Sequence, residues 1–402
     1  MTCLDFAERE KIQGLKNLNV PNLRFPEFTE EWTQCTIGSY GNIITGSTPS
    51  TSDTENYDNG TYLWASPTDL GELKYVEQTQ TKLTDKGFGK TRRFPANSIM
   101  VTCIGSTIGK MGMSKVEMST NQQINTIVPT GHDANFVFYT IQSRFPRYLS
   151  SIAVQAVPII SKSAFEKLEN YTTSIDEEVK IGTFLSLLDE RIATKIKIIE
   201  QLQSLIKGIC NNLLYADKGK SIRLGDILIE RKEKSIINNQ YEILSSTVKG
   251  VFSQRDYFSK DIASENNIGY KIIRLNDIVL SPQNLWMGNI NFNDKYEIGI
   301  VSPSYKIFAI KENFNKIYIA NLLKTHRALY NYMQVSEQGA SIVRRNLNLE
   351  AFEQLSFKIP DYQEQCRIAR ILISTQQKIQ LETSLLNKYE ELKKFLLSNM
   401  FI

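Results

Sequence analysis

The chain has 402 residues, of which 41% are hydrophobic and 22% charged, proportions that exclude wholesale disorder and suit two or three folded domains. No apolar run approaches the roughly 18 residues needed to cross a bilayer, and the acidic start (Asp5, Glu8, Glu10) does not read as a secretory signal. A formal net charge of +4 names no partner, and two histidines exclude a His-rich metal cluster. Five scattered cysteines without a C-x-x-C pair argue against a disulfide framework or a thiolate zinc site, and they fit a reducing cytoplasm.

In chain order, residues 1–35 form a lead-in segment, and residues 36–175 carry short β-type runs broken by turn residues. The runs include Tyr62–Ala65, Ser98–Thr102 and Asn125–Val128, with a helical stretch near Phe136–Ser151. Residues 176–216 are helical, because Ile181, Leu185, Leu188, Ile192, Ile199, Leu202, Ile206, Ile209 and Leu213 recur at alternating steps of four and three. That is a coiled-coil seam with Lys195 as its one polar interruption. Residues 217–360 return to β-type runs (Lys271–Leu275, Ile278–Leu280, Tyr305–Ile310) with a helical stretch near Ile317–Gln334. They carry 20 Lys and Arg against 15 Asp and Glu, a mild basic excess that permits a polyanion. Residues 361–402 repeat the helical seam through Ile368, Leu372, Ile379, Leu386, Tyr389, Leu396 and Met400.

The chain is written twice, in a register of 187 residues. Ala164-Phe165-Glu166-Lys167-Leu168 returns as Ala351-Phe352-Glu353-Gln354-Leu355, Ile37-Gly38 as Leu224-Gly225, and Ile181, Leu185 and Ile192 as Ile368, Leu372 and Ile379. This predicts an α+β chain: two domains with twisted, mostly antiparallel sheets, separated by a long antiparallel two-helix coiled coil. The internal repeat implies a pseudo-twofold, with the domains at opposite ends of a rod.

Catalytic signatures are missing. The nearest phosphate-loop match, Gly105 to Lys110, has three residues between its glycines where a P-loop has four, and Met111 follows where Ser or Thr would reach magnesium. No Pro-Pro pair is present for a methyltransferase loop, and Glu-x-Lys triplets such as Glu72-Leu73-Lys74 and Glu178-Val179-Lys180 do not make a nuclease motif. What the loops do offer is hydrogen-bonding side chains suited to bases and phosphates. In the first copy these are Thr45, Ser47, Thr48, Arg92, Arg93, Ser106, Thr107, Lys110, Asn121, Gln122 and Gln123. In the second they are Arg231, Lys232, Gln283, Asn284, Trp286, Arg344 and Arg345. Arg pairs bidentately with guanine, Asn and Gln pair with adenine, and Ser, Thr and Lys serve phosphates.

Several segments resemble the DNA-specificity subunit of type I restriction–modification systems. Val20-Pro21-Asn22-Leu23-Arg24-Phe25-Pro26 followed by Trp32 resembles that family's lead-in, and Thr45-Gly46-Ser47-Thr48-Pro49 the opening of its target-recognition domains. Trp64-Ala65-Ser66-Pro67-Thr68-Asp69-Leu70 and Ser106-Thr107-Ile108-Gly109-Lys110 are similar to two further segments. Ile359-Pro360 with Glu364-Gln365 and Ile368 resembles the entry to a conserved-region helix; the first copy departs from it, lacking the Pro and carrying Glu178 in place of Gln. The resemblance implies a non-catalytic subunit without metal or cofactor of its own. It would read a bipartite site in double-stranded DNA and set the gap with its helices. Two S-adenosylmethionine-binding methyltransferase subunits would dock on it, and motor-nuclease restriction subunits using ATP and Mg²⁺ would join them, away from any membrane. A related restriction system with nuclease and methyltransferase fused in one chain, and a coiled-coil adaptor that binds only proteins, are the competing readings.

Overall fold

The two apolar stripes fold as helices, Ile175–Leu213 and Tyr362–Asn399, in a computed structural model that describes residues 19–151, 159–214, 219–248, 250–257, 266–338 and 345–402. The chain gathers into two compact units, residues 1–198 with 382–402, and residues 199–381. Each unit therefore takes one α+β lobe and about half of each long helix.

In the first unit a five-stranded sheet runs in the order Gly41–Thr45, Ile124–Pro129, Ile99–Thr102, Met111–Ser114, Tyr75–Val76. A four-stranded sheet runs Thr81–Leu83, Tyr62–Ala65, Met118–Thr120, Arg93–Phe94. Pairing is antiparallel except where Trp64 meets Ser119 and Tyr75 meets Met113 in parallel. The glycines at 105 and 109, with φ of 97° and 90°, turn a strand–turn–strand between Ile99–Thr102 and Met111–Ser114. Helix Ala134–Ser151 covers the sheet, and its Phe136, Val137 and Ile141 share a core with Ile181, Leu185, Leu188, Ile192, Leu396, Met400 and Phe401. The seam residues of the long helices thus pack against the lobe as well as against each other. Within this unit Asp189 pairs with Lys393 and Lys195 with Glu382, so the helices run antiparallel.

The second unit has a four-stranded sheet in the order Leu228–Glu230, Lys306–Ile310, Ile278–Leu280, Ile290–Phe292, with hairpin Leu244–Thr247/Gly250–Ser253 and the pair Lys271–Arg274/Ile298–Val301. The helix expected near Ile317–Gln334 is two helices, Lys316–Leu322 and His326–Gln334. The break falls at Thr325, whose hydroxyl accepts from Ala328 N and starts the second helix. Ile368, Ala369 and Leu372 are buried here, with Ile206 and Ile209 half-buried against them. Ile199 and Leu202 are half-buried, while the side chain of Leu213 lies outside the described residues.

The 187-residue register is visible in the neck of each unit. Strand Thr33–Thr36 pairs with Glu169–Thr172, and Lys220–Arg223 with Ser356–Ile359, each partner displaced by 187 residues. Short helices Lys162–Glu166 and Leu349–Gln354 begin at the same displacement.

Candidate nucleic-acid interface

Register places most of the candidate side chains. In the first unit Thr45 lies opposite Asn125, and Ile124 opposite Thr102. Residues 45–48, 103–110 and 121–123 therefore emerge at one end of the five-stranded sheet. The other end, where Gly41 meets Pro129, leads through Asp133 to the buried Glu178 of the first long helix. The loops and the helix anchor thus occupy opposite ends of one sheet. In the second unit Leu280 lies opposite Lys306, which puts residues 232, 281–289 and 302–305 at one end. The opposite end, where Leu228 meets Ile310, leads through Asn315 to Gln365.

The first-unit cluster is tied together by its own polar groups. Thr45 Oγ1 donates to Asn125 Oδ1 at 2.7 Å, and Arg92 Nη1 donates to the Thr45 carbonyl at 2.9 Å. Ser47 Oγ accepts from Arg92 N at 3.0 Å, its carbonyl accepts from Trp64 Nε1 at 3.0 Å, and Thr48 donates to Gln122. Asn121 Nδ2 donates to Gln123 Oε1 at 3.0 Å, and the Gln123 carbonyl accepts from Cys103 N at 2.8 Å, joining this loop to the turn that carries Ser106, Thr107 and Lys110. Gly46 cannot be replaced in this arrangement, since a Cβ there would sit 2.0 Å from the Asn121 carbonyl oxygen. Ser106, Lys110, Gln122, Thr48 and Arg92 are exposed. Arg93 departs from the group: its guanidinium lies 5.5 Å from the Phe88 ring, which stacks on Tyr62 at 4.4 Å. Arg92 lies in the loop before strand Arg93–Phe94, so the two neighbouring arginines take different surroundings.

An open cavity of about 340 Å³ beside Thr48 is lined by Thr51, Thr54, Tyr57, Asp58, Trp64 and Thr81. Its sequence signal is the hydroxyl-rich run from Thr48 to Thr54, which extends the candidate loop beyond Ser50.

In the second unit Gln283, Trp286 and Arg345 come together: Arg345 N donates to the Gln283 carbonyl at 3.3 Å, and its guanidinium lies 4.7 Å from the Trp286 ring. Trp286 Nε1 and Arg345 Nε have no hydrogen-bond partner among the described residues. Asn284 shapes the loop through its backbone, its carbonyl accepting from Met287 N and Asn289 N. Lys232 is exposed. Arg231, by contrast, is committed to Asp277, with Nε 2.8 Å from Oδ2. Burial pushes the Asp277 carboxyl above the usual carboxylate range, the effect being larger than the opposing pull of Arg231. Arg344 lies outside the described residues. Sequence reasoning missed Lys324, whose Nζ donates to Asn291 Oδ1 at 2.7 Å beside the buried Ser246 and Asn289.

Among the described residues no helix is long and apolar enough to cross a membrane. Residues 29–204 match the family described as the type I restriction modification DNA specificity domain. The MjaIX specificity subunit of Methanocaldococcus jannaschii is 27% identical over 282 residues, 63% of this chain and 64% of the relative. The HindI specificity subunit of Haemophilus influenzae is 32% identical over 149 residues, 36% of this chain and 32% of the relative. The chain thus matches less than two thirds of the length of either relative. A crystal structure of the S subunit from M. genitalium shares the fold with a TM-score of 0.61 at 16% identity, covering 95% of this chain and 99% of that one. Residues 29–204, less than half of the chain, are thus similar to the type I restriction modification DNA specificity domain, and the fold match extends the shared architecture through the second copy of the repeat.

Proposed function

We propose that the chain is the sequence-reading subunit of a type I restriction–modification complex: each lobe reads one half of a bipartite site in double-stranded DNA, and the long helices set the gap. The observation that carries this is the repeated placement of hydrogen-bonding loops at the sheet end opposite each helix anchor. Such loops reach base edges and phosphates while the anchor holds the lobe, which is the division between reading and positioning that sequence-specific DNA binding requires. The chain supplies recognition and scaffolding, and the chemistry comes from partner subunits: two methyltransferases, with motor-nuclease subunits joining them. S-adenosylmethionine, ATP and Mg²⁺ belong to those partners.

The test is selection of duplex DNA from a random pool by the purified chain with its methyltransferase partner. Enrichment of two short specific half-sites at a fixed spacing is expected. Enrichment of a single continuous site, or binding without sequence preference, would overturn the reading.

A further inference from the structure

In the first unit the carboxylate of Glu178, fully buried on the first long helix, accepts from the backbone N–H of Asp133 at 3.0 Å. Asp133 opens helix Ala134–Ser151: its carboxylate accepts from Phe136 N at 2.8 Å and its carbonyl from Val137 N at 3.0 Å. In the second unit Gln365, 187 residues later and 3% exposed, accepts through Oε1 from the backbone N–H of Asn315 at 2.9 Å. Asn315 opens helix Lys316–Leu322, and its side chain accepts from Tyr318 N at 3.0 Å.

The two arrangements match although their surroundings do not. The long helices keep a displacement of 187, whereas the helices they hold are displaced by 182, from Asp133 to Asn315. In the second unit the segment between neck and helix start is therefore five residues shorter and the segment from there back to the neck five residues longer, while the same contact persisted. The remaining partners also differ. Glu178 gathers the Thr172 hydroxyl at 2.5 Å and His132 Nδ1 at 2.9 Å, whereas Gln365 uses its amide to donate to the Pro360 carbonyl at 2.9 Å. A carboxylate and an amide share one feature here, an oxygen that accepts from the N–H of the residue opening the lobe's helix. That N–H has no partner within the helix.

We propose that positions 178 and 365 are the joints that orient each recognition lobe on its long helix. They thereby fix the gap between half-sites and leave base identity to the loops at the far end of the sheet. The proposal rests on the bipartite reading above. A buried side-chain acceptor on a long helix and a backbone donor at the start of the lobe's helix make a contact with little play. Angular freedom at this joint becomes displacement at the reading loops, a sheet length away. The residues are positioning residues, since both are buried at the sheet end away from the reading loops.

The experiment uses the full chain with its methyltransferase partner and four variants: Glu178→Gln, Gln365→Glu, Glu178→Ala and Gln365→Ala. Amide hydrogen exchange at Asp133 and Asn315 reads each joint without DNA. The alanine variants should exchange roughly three- to tenfold faster at their own joint, the change expected for one net hydrogen bond, and the conservative variants should match the parent. The DNA readout is a library with fixed half-sites and a varied gap, together with one of fixed gap and varied half-sites. The alanine variants should bind gaps one base pair longer or shorter with a several-fold smaller penalty than the parent, and select the same half-sites. Gln365→Ala leaves the first joint intact, so the outcome does not hang on whether Glu178→Ala folds. Faster exchange with an unchanged gap preference would overturn the joint as the gap-setting element, and so would altered half-site bases. Unchanged exchange would show that the contact does not hold the helix start. A parent complex that selects no bipartite site would sink the functional reading and this proposal with it, an outcome the exchange data do not mimic.

Discussion

Arg92 and Arg93 show how little residue type alone says about use. Arg92 holds the Thr45 carbonyl and so shapes the loop that presents Ser47 and Thr48, while Arg93 lies over Phe88. Replacing Arg92 with alanine should reduce discrimination at one half-site by roughly 1–3 kcal/mol per affected base pair and leave the other half-site unchanged; competition binding with single-base variants of each half-site measures it. Lys74 poses a different question. It is 7% exposed, its Nζ donates to Asn135 Oδ1 at 2.5 Å and Ser186 Oγ at 3.0 Å, and the Tyr139 ring centroid lies 4.7 Å away. Burial, reinforced by nearby Lys393 and opposed by Asp189, lowers its pKa from 10.5 to about 8. Below pH 8 both folded and unfolded chains hold the proton, so the cost of burying the charge is present in full. Between about 8 and 10.5 the folded chain gives up the proton first, and stability rises with pH by an amount on the order of 2–3 kcal/mol. Urea unfolding of the parent and of Lys74→Met from pH 7 to 10 should show the parent gaining on the variant; parallel curves would exclude the effect. Gly182 sits where the long helix meets Asp133, and a Cβ there would lie 2.2 Å from Asp133 Oδ1 and 2.9 Å from Phe136 N. Alanine improves helix propensity by about 1 kcal/mol, but overpacking costs about 1–3 kcal/mol. A net loss of stability is expected for Gly182→Ala by thermal unfolding. The second unit carries a buried alanine at the equivalent position, Ala369.

At the scale of elements, the long helices were legible because an apolar step of three and four sustained over nearly five heptads has no common alternative explanation. The neck strands Thr33–Thr36 and Lys220–Arg223 obey the same repeat, but no local β-type run announced them, and the first straddles the end of the lead-in segment. The lobes were less legible. Strands of two to four residues such as Tyr75–Val76 and Arg93–Phe94 are too short for an alternating pattern to show. The pairing of Arg231 with Asp277 joins residues 46 apart through a sheet whose register no local signal declares. The candidate loops could be named because polar residues clustered in them, yet which side chains face outward depends on that register. Lys195, the one polar interruption of the first seam, meets Glu382 at 2.6 Å with side chains 20% and 4% exposed. Changing Lys195 to leucine alone removes the ammonium from a nearly buried carboxylate and should cost roughly 3–5 kcal/mol. The double change Lys195→Leu with Glu382→Leu should recover most of that loss, a coupling that a double-mutant cycle by urea unfolding measures.

For the whole molecule, the helices are the predicted ruler. The Lys195–Glu382 pair shows which heptads face each other within the second unit: by antiparallel counting, residues 199–205 stand against 372–378. Removing both preserves the seam phase and that ion pair and shortens the helix pair by roughly 10 Å at 1.5 Å per residue. At 3.4 Å per base pair the preferred gap should contract by about three base pairs. Affinity should fall as well, because three base pairs turn the second half-site by roughly 100°. A deletion variant that folds and still selects the original gap would show that the helices do not measure the site.

Lys195 and Glu382 occupy the same place in the two copies of the repeat. A duplicated gene begins with identical halves, and identical halves would set lysine against lysine or glutamate against glutamate in this pair. Divergence to opposite charges therefore made the halves complementary and ended their interchangeability. Recombination that swaps recognition lobes should be tolerated when it breaks the chain before Ile175 or before Tyr362, where each long helix stays with its own charge. A crossover that brings in a second copy of either helix inherits a like-charge clash, so new specificities should arise by exchange of lobes between intact helices.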